Sequence, residues 1–326
     1  YCVSISPHVQ STIRSSDVTQ DPVGMQYVPS DVELITRRGE VADPVGDEAH
    51  TPVRGLVHRY PDRALLKITL ACPVYCRFCF RREMVGGYAE SPLSGKELKA
   101  IFEYIEMHDE IWEIILSGGD PLILSNRRIQ EVLDQLKQIN HVRVVRIHTR
   151  IPVVDPDRVD DELVEMLSSC GKTVYLVLHA NHANEFSESA KSACRKLVDA
   201  GIPMRSQTVL LKGVNDTEEA LVSLMRTFVI NRITPYYLHH LDAAPGTGHF
   251  RQSVAKGQEL VKRIRGRYSG MCQPTYVLDI PGGFGKSPIG PQYIRADRVR
   301  PGAYVVEDYL GTKHSYATDY MVGENS

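Results

Sequence analysis

LLKITLACPVYCRFCFRR, residues 65–82, is the stretch that decides how this chain folds. Its first half is a leucine-rich and β-branched run of strand composition, and Cys72, Cys76 and Cys79 follow at once in a C-x3-C-x2-C spacing. Outward from it the same rhythm recurs. The strand candidates ALLKITLAC, WEIILSGG, VRVVRIHTR, TVYLVLHA, RSQTVLL and ITPYYLHH alternate with amphipathic helical stretches such as GKELKAIFEYIEM, NRRIQEVLDQLKQI and ESAKSACRKLVDAG. One strand-helix unit about every 30 residues predicts βαβ architecture. Six such units without a break predict a partial (β/α)6 TIM-type barrel rather than two separate domains. Residues just after each strand then gather on one face, which puts the cysteines at the end where barrels carry their active sites.

Residues 1–57 are rich in Asp, Pro, Ser and Thr, with little periodicity, and are expected to form an N-terminal extension with short helices that wraps the barrel of residues 58–270. Residues 271–326 change character. TYVLDIPGGFGKSPIGP and AYVVEDYLGTKHSYATDY are predicted to form a Gly/Pro-rich loop and a strand hairpin, placed as a C-terminal cap across the barrel mouth. The three parts are read as one integrated catalytic unit.

A hydrophobic content of 42% with 24% charged residues allows a full core in 326 residues, and a net charge of -2 gives no general pull toward nucleic acid or an anionic membrane. No stretch approaches the roughly 20 apolar residues of a membrane span. The segment YCVSISPHVQ lacks the basic-then-apolar order of a signal peptide, so a cytoplasmic protein is expected. A first residue of Tyr rather than Met leaves open a native segment before it. Seven cysteines, three of them crowded together, do not form a disulfide framework; metal binding under reducing conditions is expected, with Cys2, Cys170, Cys194 and Cys272 as buried free thiols.

A tetrahedral zinc site needs four ligands, and no fourth Cys or His lies at a customary spacing near the triad. Three thiolates suit a four-iron cluster with one iron left free for a substrate or cofactor. SGGDPL, Ser117 to Leu122, ends the next strand and by itself reads as a turn. DIPGGFGKSPIGP offers Lys286 behind a glycine run; alone this is a surface lysine, yet pyridoxal phosphate (PLP) chemistry needs a lysine that can lose its proton and form a Schiff base. Arg59 and Arg63 of RYPDR are cations suited to a phosphate.

Together these pieces resemble the lysine 2,3-aminomutase family of radical S-adenosylmethionine (SAM) enzymes. HRYPDRALL, CxxxCRxCFRR, LSGGDPL, RIHTRIPVV, NHANE, QTVLLKGVND, PYYLHHLD and PGGFGK follow in that family's order and spacing, from about residue 21 to about 291. The resemblance implies a 4Fe-4S cluster on Cys72, Cys76 and Cys79, with SAM on the open iron, cleaved to a 5′-deoxyadenosyl radical. Ser117, Gly118, Gly119 and Asp120 would receive the amino group of SAM, and Gln207 and a histidine of HANH, His179 or His182, would sit around it. Lys286 is implied as the PLP lysine, with Arg59 and Arg63 at its phosphate. Arg81 is implied to hold the substrate α-carboxylate, and Asp242 and Asp279 to grip the ε-ammonium of lysine. The activity implied is an isomerase that turns L-lysine into β-lysine by 1,2-amino migration, supplied by an electron donor of flavodoxin or ferredoxin type.

The match departs at two places. In that family a cysteine after the GVND element joins a C-terminal cysteine cluster of a neighbouring subunit to bind zinc; here Thr217 follows Asp216 and no cysteine lies beyond Cys272. The zinc is therefore expected to be absent, and a homo-oligomer is left open. His239 and His240 stand where the family commonly has Tyr and Gln. Arginine, whose guanidinium two carboxylates could also clamp, stays open as substrate. β-Lysine formation for elongation factor P stays open too, as does a radical SAM enzyme without PLP. A metal-stabilised binding module is the non-enzymatic alternative.

Overall fold

The computed structural model describes residues 2–85 and 93–317. The strands read from sequence belong to one curled nine-stranded sheet, in sequence order from edge to edge. Its strands are β1 (Leu56–Tyr60), β2 (Arg63–Thr69), β3 (Glu113–Gly118), β4 (Val144–Thr149), β5 (Thr173–His179), β6 (Met204–Val209), β7 (Ile233–His239), β8 (Thr275–Asp279) and β9 (Lys286–Pro288). From β2 to β8 each neighbouring pair is parallel, whereas β1 and β9 run antiparallel at the two edges. The six strands expected from periodicity are all present. β8 adds a seventh parallel strand to this partial TIM-type barrel.

Alternation along the strands sorts side chains between two environments. In β4, Val145 and Ile147 are fully buried, while Arg146 and His148 point the other way and line the barrel interior. Each apolar residue so buried contributes about 1.5–3 kcal/mol. The helices Gly95–Met107, Asn126–Gln138, Asp161–Ser169, Glu188–Asp199, Glu218–Ile230 and Val254–Ile264 cover the apolar face. Each starts at a Ser, Asp or Thr whose side chain accepts a first-turn N–H: Ser94, Ser125, Asp160, Ser187, Thr217 and Ser253. Such a cap is worth about 1 kcal/mol. Thr217, which marks the departure from the family pattern, is thus the cap of its helix.

The two sheet edges meet. The Lys286 N–H on β9 donates to the phenolic oxygen of Tyr60 on β1 at 2.8 Å. The N-terminal extension braces this closure. Gly46 and Gly283, at φ +67° and +86°, pack backbone to backbone; a Cβ on Gly46 would enter the Gly283 backbone, and one on Gly283 would run into the His50 ring. A separate three-stranded sheet, β10 (Ile294–Ala296), β11 (Ala303–Glu307) and β12 (Lys313–Ala317), reaches the helix Val254–Ile264 through a Lys262–Glu307 ion pair. No described helix is long and apolar enough to cross a membrane.

Candidate active site

The loop after β2 carries the three cysteines to the open end of the barrel, where all of them line one cavity of about 690 Å³. Glycines let that loop lie flat on β3. The Gly119 N–H donates to the Thr69 carbonyl at 2.6 Å and the Asp120 N–H to the Ala71 carbonyl at 2.9 Å; a Cβ on Gly119 would overlap the Ala71 oxygen. Burial pushes up all three thiols, Cys79 to about 11, so that loading a metal there must release protons. Of the remaining cysteines, none of which is in a disulfide, Cys170, Cys194 and Cys272 are buried as expected, but Cys2 is exposed. That corrects the expectation for Cys2, which lies on the terminal segment and is held there by its carbonyl, an acceptor for Arg77 Nη1 at 2.9 Å.

Around the cysteines sit residues from the ends of successive strands. Gly118, Gly119 and Asp120 line the cavity after β3, His179 ends β5, and Gln207 pairs with it in register on β6. Asp120 is committed to the chain on both oxygens: Oδ1 accepts from Thr149 Oγ1 at 2.7 Å and from the Leu122 N–H, and Oδ2 from the Arg150 N–H at 2.7 Å. Ser117 is buried, 3.5 Å from Arg81 Nη1. His182 is not brought to the cavity. It caps the turn Ala183–Glu185, its Nδ1 accepting from the Asn184 N–H at 3.1 Å, so of the two histidines of HANH only His179 lines the cavity.

Lys286 lines the same cavity, its Nζ 2.7 Å from Asp279 Oδ1. Arg59 Nη1 at 3.9 Å and His239 Nδ1 at 3.6 Å approach the same carboxylate. Burial alone would raise Asp279, but the His239 contact and the Lys286 charge hold it below the ordinary carboxylate range. Asp242, in the same wall, goes the opposite way: burial first, and then the charge of Asp279, push it up to about 7. Two carboxylates have thus been driven apart. His239 faces this pair, whereas His240 turns away to bond the Tyr276 hydroxyl at 2.8 Å. Arg63 lines the cavity but pairs with Asp62 at 2.6 Å and lies over the Tyr60 ring.

Three further residues were not singled out from sequence. Asp47, on the extension and buried, binds Arg59 Nη2 at 2.8 Å and Arg81 Nη2 at 3.0 Å, joining two of the expected ligand-binding cations. Arg150 reaches Cys76 Sγ at 3.2 Å. His148 lines the cavity, and burial lowers its pKa well below the ordinary imidazole value. The signal for His148 was present in the alternation of VVRIHTR; Asp47 left none.

The cavity is rich in donors that the protein does not satisfy. Nε of Arg59, Arg81, Arg146 and Arg150 and Nε2 of His148 and His179 are buried without a partner among the described residues. Buried polar atoms are seldom left so, and this set calls for anionic groups such as a phosphate and carboxylates. Three thiols, an amine and four guanidiniums around one space therefore fit an iron–sulfur cluster, SAM and PLP.

Comparison with known proteins agrees with this chemistry. The Radical SAM superfamily profile matches residues 66–225. The L-lysine 2,3-aminomutase of Acetoanaerobium sticklandii is 42% identical over 292 residues, 90% of this chain and 70% of that protein. The enzyme of the same name from Methanococcus maripaludis is 39% identical over 323 residues, 98% of this chain and 73% of that protein. The glutamate 2,3-aminomutase of Clostridioides difficile is 37% identical over 291 residues, covering 89% and 68% of the two chains.

Proposed function

The chain belongs to the lysine 2,3-aminomutase family of radical SAM enzymes, and from that premise we propose that it moves the α-amino group of L-lysine to the β-carbon. It is an isomerase by family. One observation carries the proposal: Lys286 and the cysteine triad face the same cavity, with room between them.

On this reading Cys72, Cys76 and Cys79 hold the 4Fe-4S cluster. Gly118, Gly119, Asp120, His179 and Gln207 surround SAM, and Lys286, Arg59 and Arg63 hold PLP. When bound, cluster and SAM supply a hydrogen-abstracting radical, and PLP a ring that delocalises an unpaired electron. Everything else is the work of the chain. The unpaired Nε of Arg81 offers the second arm of a bidentate grip on the α-carboxylate, with Asp47 fixing the other side of the guanidinium. Asp242 and Asp279 face the distal end of the substrate, and carboxylates there select a cationic side chain over the carboxylate of glutamate. Without PLP, the ammonium of Lys286 pairs with Asp279; His239, whose pKa burial lowers, stands beside that carboxylate. Val57, Leu65, Val74, Phe78, Ile115 and Leu241 exclude water from the reacting centre. An electron donor of flavodoxin or ferredoxin type completes the inferred system.

The test is anaerobic reconstitution with iron and sulfide, then PLP, dithionite and SAM, against lysine, arginine and glutamate with product analysis. β-Lysine as the main product is expected. Preference for arginine would keep the chemistry and change the substrate; no turnover of any amino acid by fully loaded protein would remove the proposal.

A further inference from the structure

Arg150 leaves the end of β4 and is buried, at 6% exposure. Its guanidinium is fixed from several sides. Nη2 donates to the Glu185 carboxylate and to Gln26 Oε1 at 3.2 Å, and Nη1 points at Cys76 Sγ, 3.2 Å away. The Arg150 N–H is anchored on Asp120, and the rings of Tyr27 and Phe78 lie 5.2 and 5.5 Å from the guanidinium carbon. A guanidinium so placed cannot rotate away without taking from the buried Glu185 carboxylate the charge that faces its Oε2, leaving it the Asn181 and His182 N–H groups and the Gln26 amide on Oε1. Cys72 and Cys79 face backbone N–H groups, of Asp120 and Arg81, and Cys79 also feels the charges of Arg81 and Arg82, whereas Cys76 receives a guanidinium N–H directly.

We propose that Arg150 is a positioning residue that raises the reduction potential of the cluster by donating a charge-assisted hydrogen bond to the Cys76 thiolate. The inference rests on the reading of Cys72, Cys76 and Cys79 as cluster ligands. One-electron reduction adds a negative charge that spreads over the irons, the sulfides and the thiolates. A fixed cation at a ligand sulfur, in a site of low dielectric, stabilises the more negative state. No proton moves, because the guanidinium stays charged throughout. The electron comes from the external donor, dithionite in the experiment. Glu185 and Gln26 hold the fork in place, and Asp120 ties the same arginine to the glycine turn after β3.

The experiment is a redox titration of reconstituted protein with dithionite and mediators, followed by the electron paramagnetic resonance signal of the reduced cluster, alongside iron content. Arg150→Met is expected to shift the reduction equilibrium about tenfold toward the oxidised cluster, a midpoint lower by about 59 mV for one electron. Arg150→Lys, which keeps the charge without the fork, should fall between the two. An unchanged midpoint in Arg150→Met with full iron content overturns the proposal. Should Arg150→Met not retain its iron, Arg150→Lys decides alone: a lowered midpoint supports the role and an unaltered one ends it. Turnover does not enter the readout, so a cluster that titrates as stated in a protein that isomerises no amino acid would sink the functional reading and leave this one standing. A wild-type protein that takes up no cluster would sink both.

Discussion

Nζ of Lys286 lies 2.7 Å from Oδ1 of Asp279, which ties the end of β8 to the start of β9 and holds the amine inside the cavity that the cysteines share. The glycine run before Lys286 makes the tight return between these two strands, so the amine is placed by the fold. Lys286→Ala is expected to abolish the visible absorbance of bound PLP and reduce turnover to background. Iron content should stay at the wild-type level, because the cysteine loop is built on β2 and β3. Turnover retained in Lys286→Ala would remove the lysine from the chemistry.

Asp242 gives a pH signature. With its carboxyl pushed up to about 7 by burial and by Asp279, a cationic substrate must draw off its proton on binding, so kcat/KM for lysine should climb as pH rises through about 7 and then level. Asp242→Asn should flatten that rise and lower kcat/KM roughly 10- to 100-fold, the loss of a hydrogen bond to a charged group worth about 1.5–3 kcal/mol. Stability moves the other way. An unfolded Asp titrates near about 3.9, so ionising Asp242 destabilises the folded state increasingly from about pH 4 to about pH 7. Asp242→Asn should therefore resist urea better than wild type at pH 8, with the gain shrinking toward pH 4. A pH-rate profile with the same inflection in both proteins would exclude Asp242 as its source.

What the chain makes locally was legible, and what it makes by distant contact was not. Strands β2 to β7 announced themselves by β-branched runs, and Cys72, Cys76, Cys79 and Lys286 by motif. β8 was hidden because five residues flanked by Pro and Gly read as loop, and only its seat beside β7 makes it a seventh parallel strand. His179 and His182 were inseparable by type. β5 ends at His179, on the inward phase of the strand, and His182 already belongs to the next turn. Asp47 meets Arg59 and Arg81 across 12 and 34 residues, and Arg150 meets Cys76 across 74, distances at which no local pattern reports a partner.

Asp47 is expected to matter more for stability than its place in a loop-rich extension suggests. Its carboxylate pairs with two largely buried guanidiniums, and removing one partner of such an assembly leaves charge without compensation. Asp47→Ala should cost about 3–5 kcal/mol in urea denaturation, and Asp47→Asn less, since an amide oxygen still accepts. Added phosphate should recover more of the thermal stability of Asp47→Ala than of wild type, because the freed arginines gain an anion. Equal stability of the alanine variant and wild type would show that solvent reaches this site.

Two glycines allow the halves of the site to be damaged separately. Gly119 lies against the Ala71 carbonyl, so a methyl group there must push the cysteine loop off β3. Backbone cannot yield as a side chain can, and Gly119→Ala is expected to lose most of its reconstituted iron. Gly283 holds φ at +86°, a conformation that costs an alanine about 1–2 kcal/mol, and its new Cβ would stand 2.6 Å from His50 Nε2. That neighbour is an imidazole that can swing aside, so Gly283→Ala should fold and keep its iron. The strained φ and the Gly46 carbonyl, 3.1 Å from the new Cβ, should still shift the loop, carry Lys286 away from Asp279 and weaken PLP binding about tenfold, read from absorbance during cofactor titration. Iron analysis and PLP titration of both variants test the division directly: loss of iron in Gly283→Ala, or tight PLP binding by that variant, would mean that the glycine loop does not set the position of the amine.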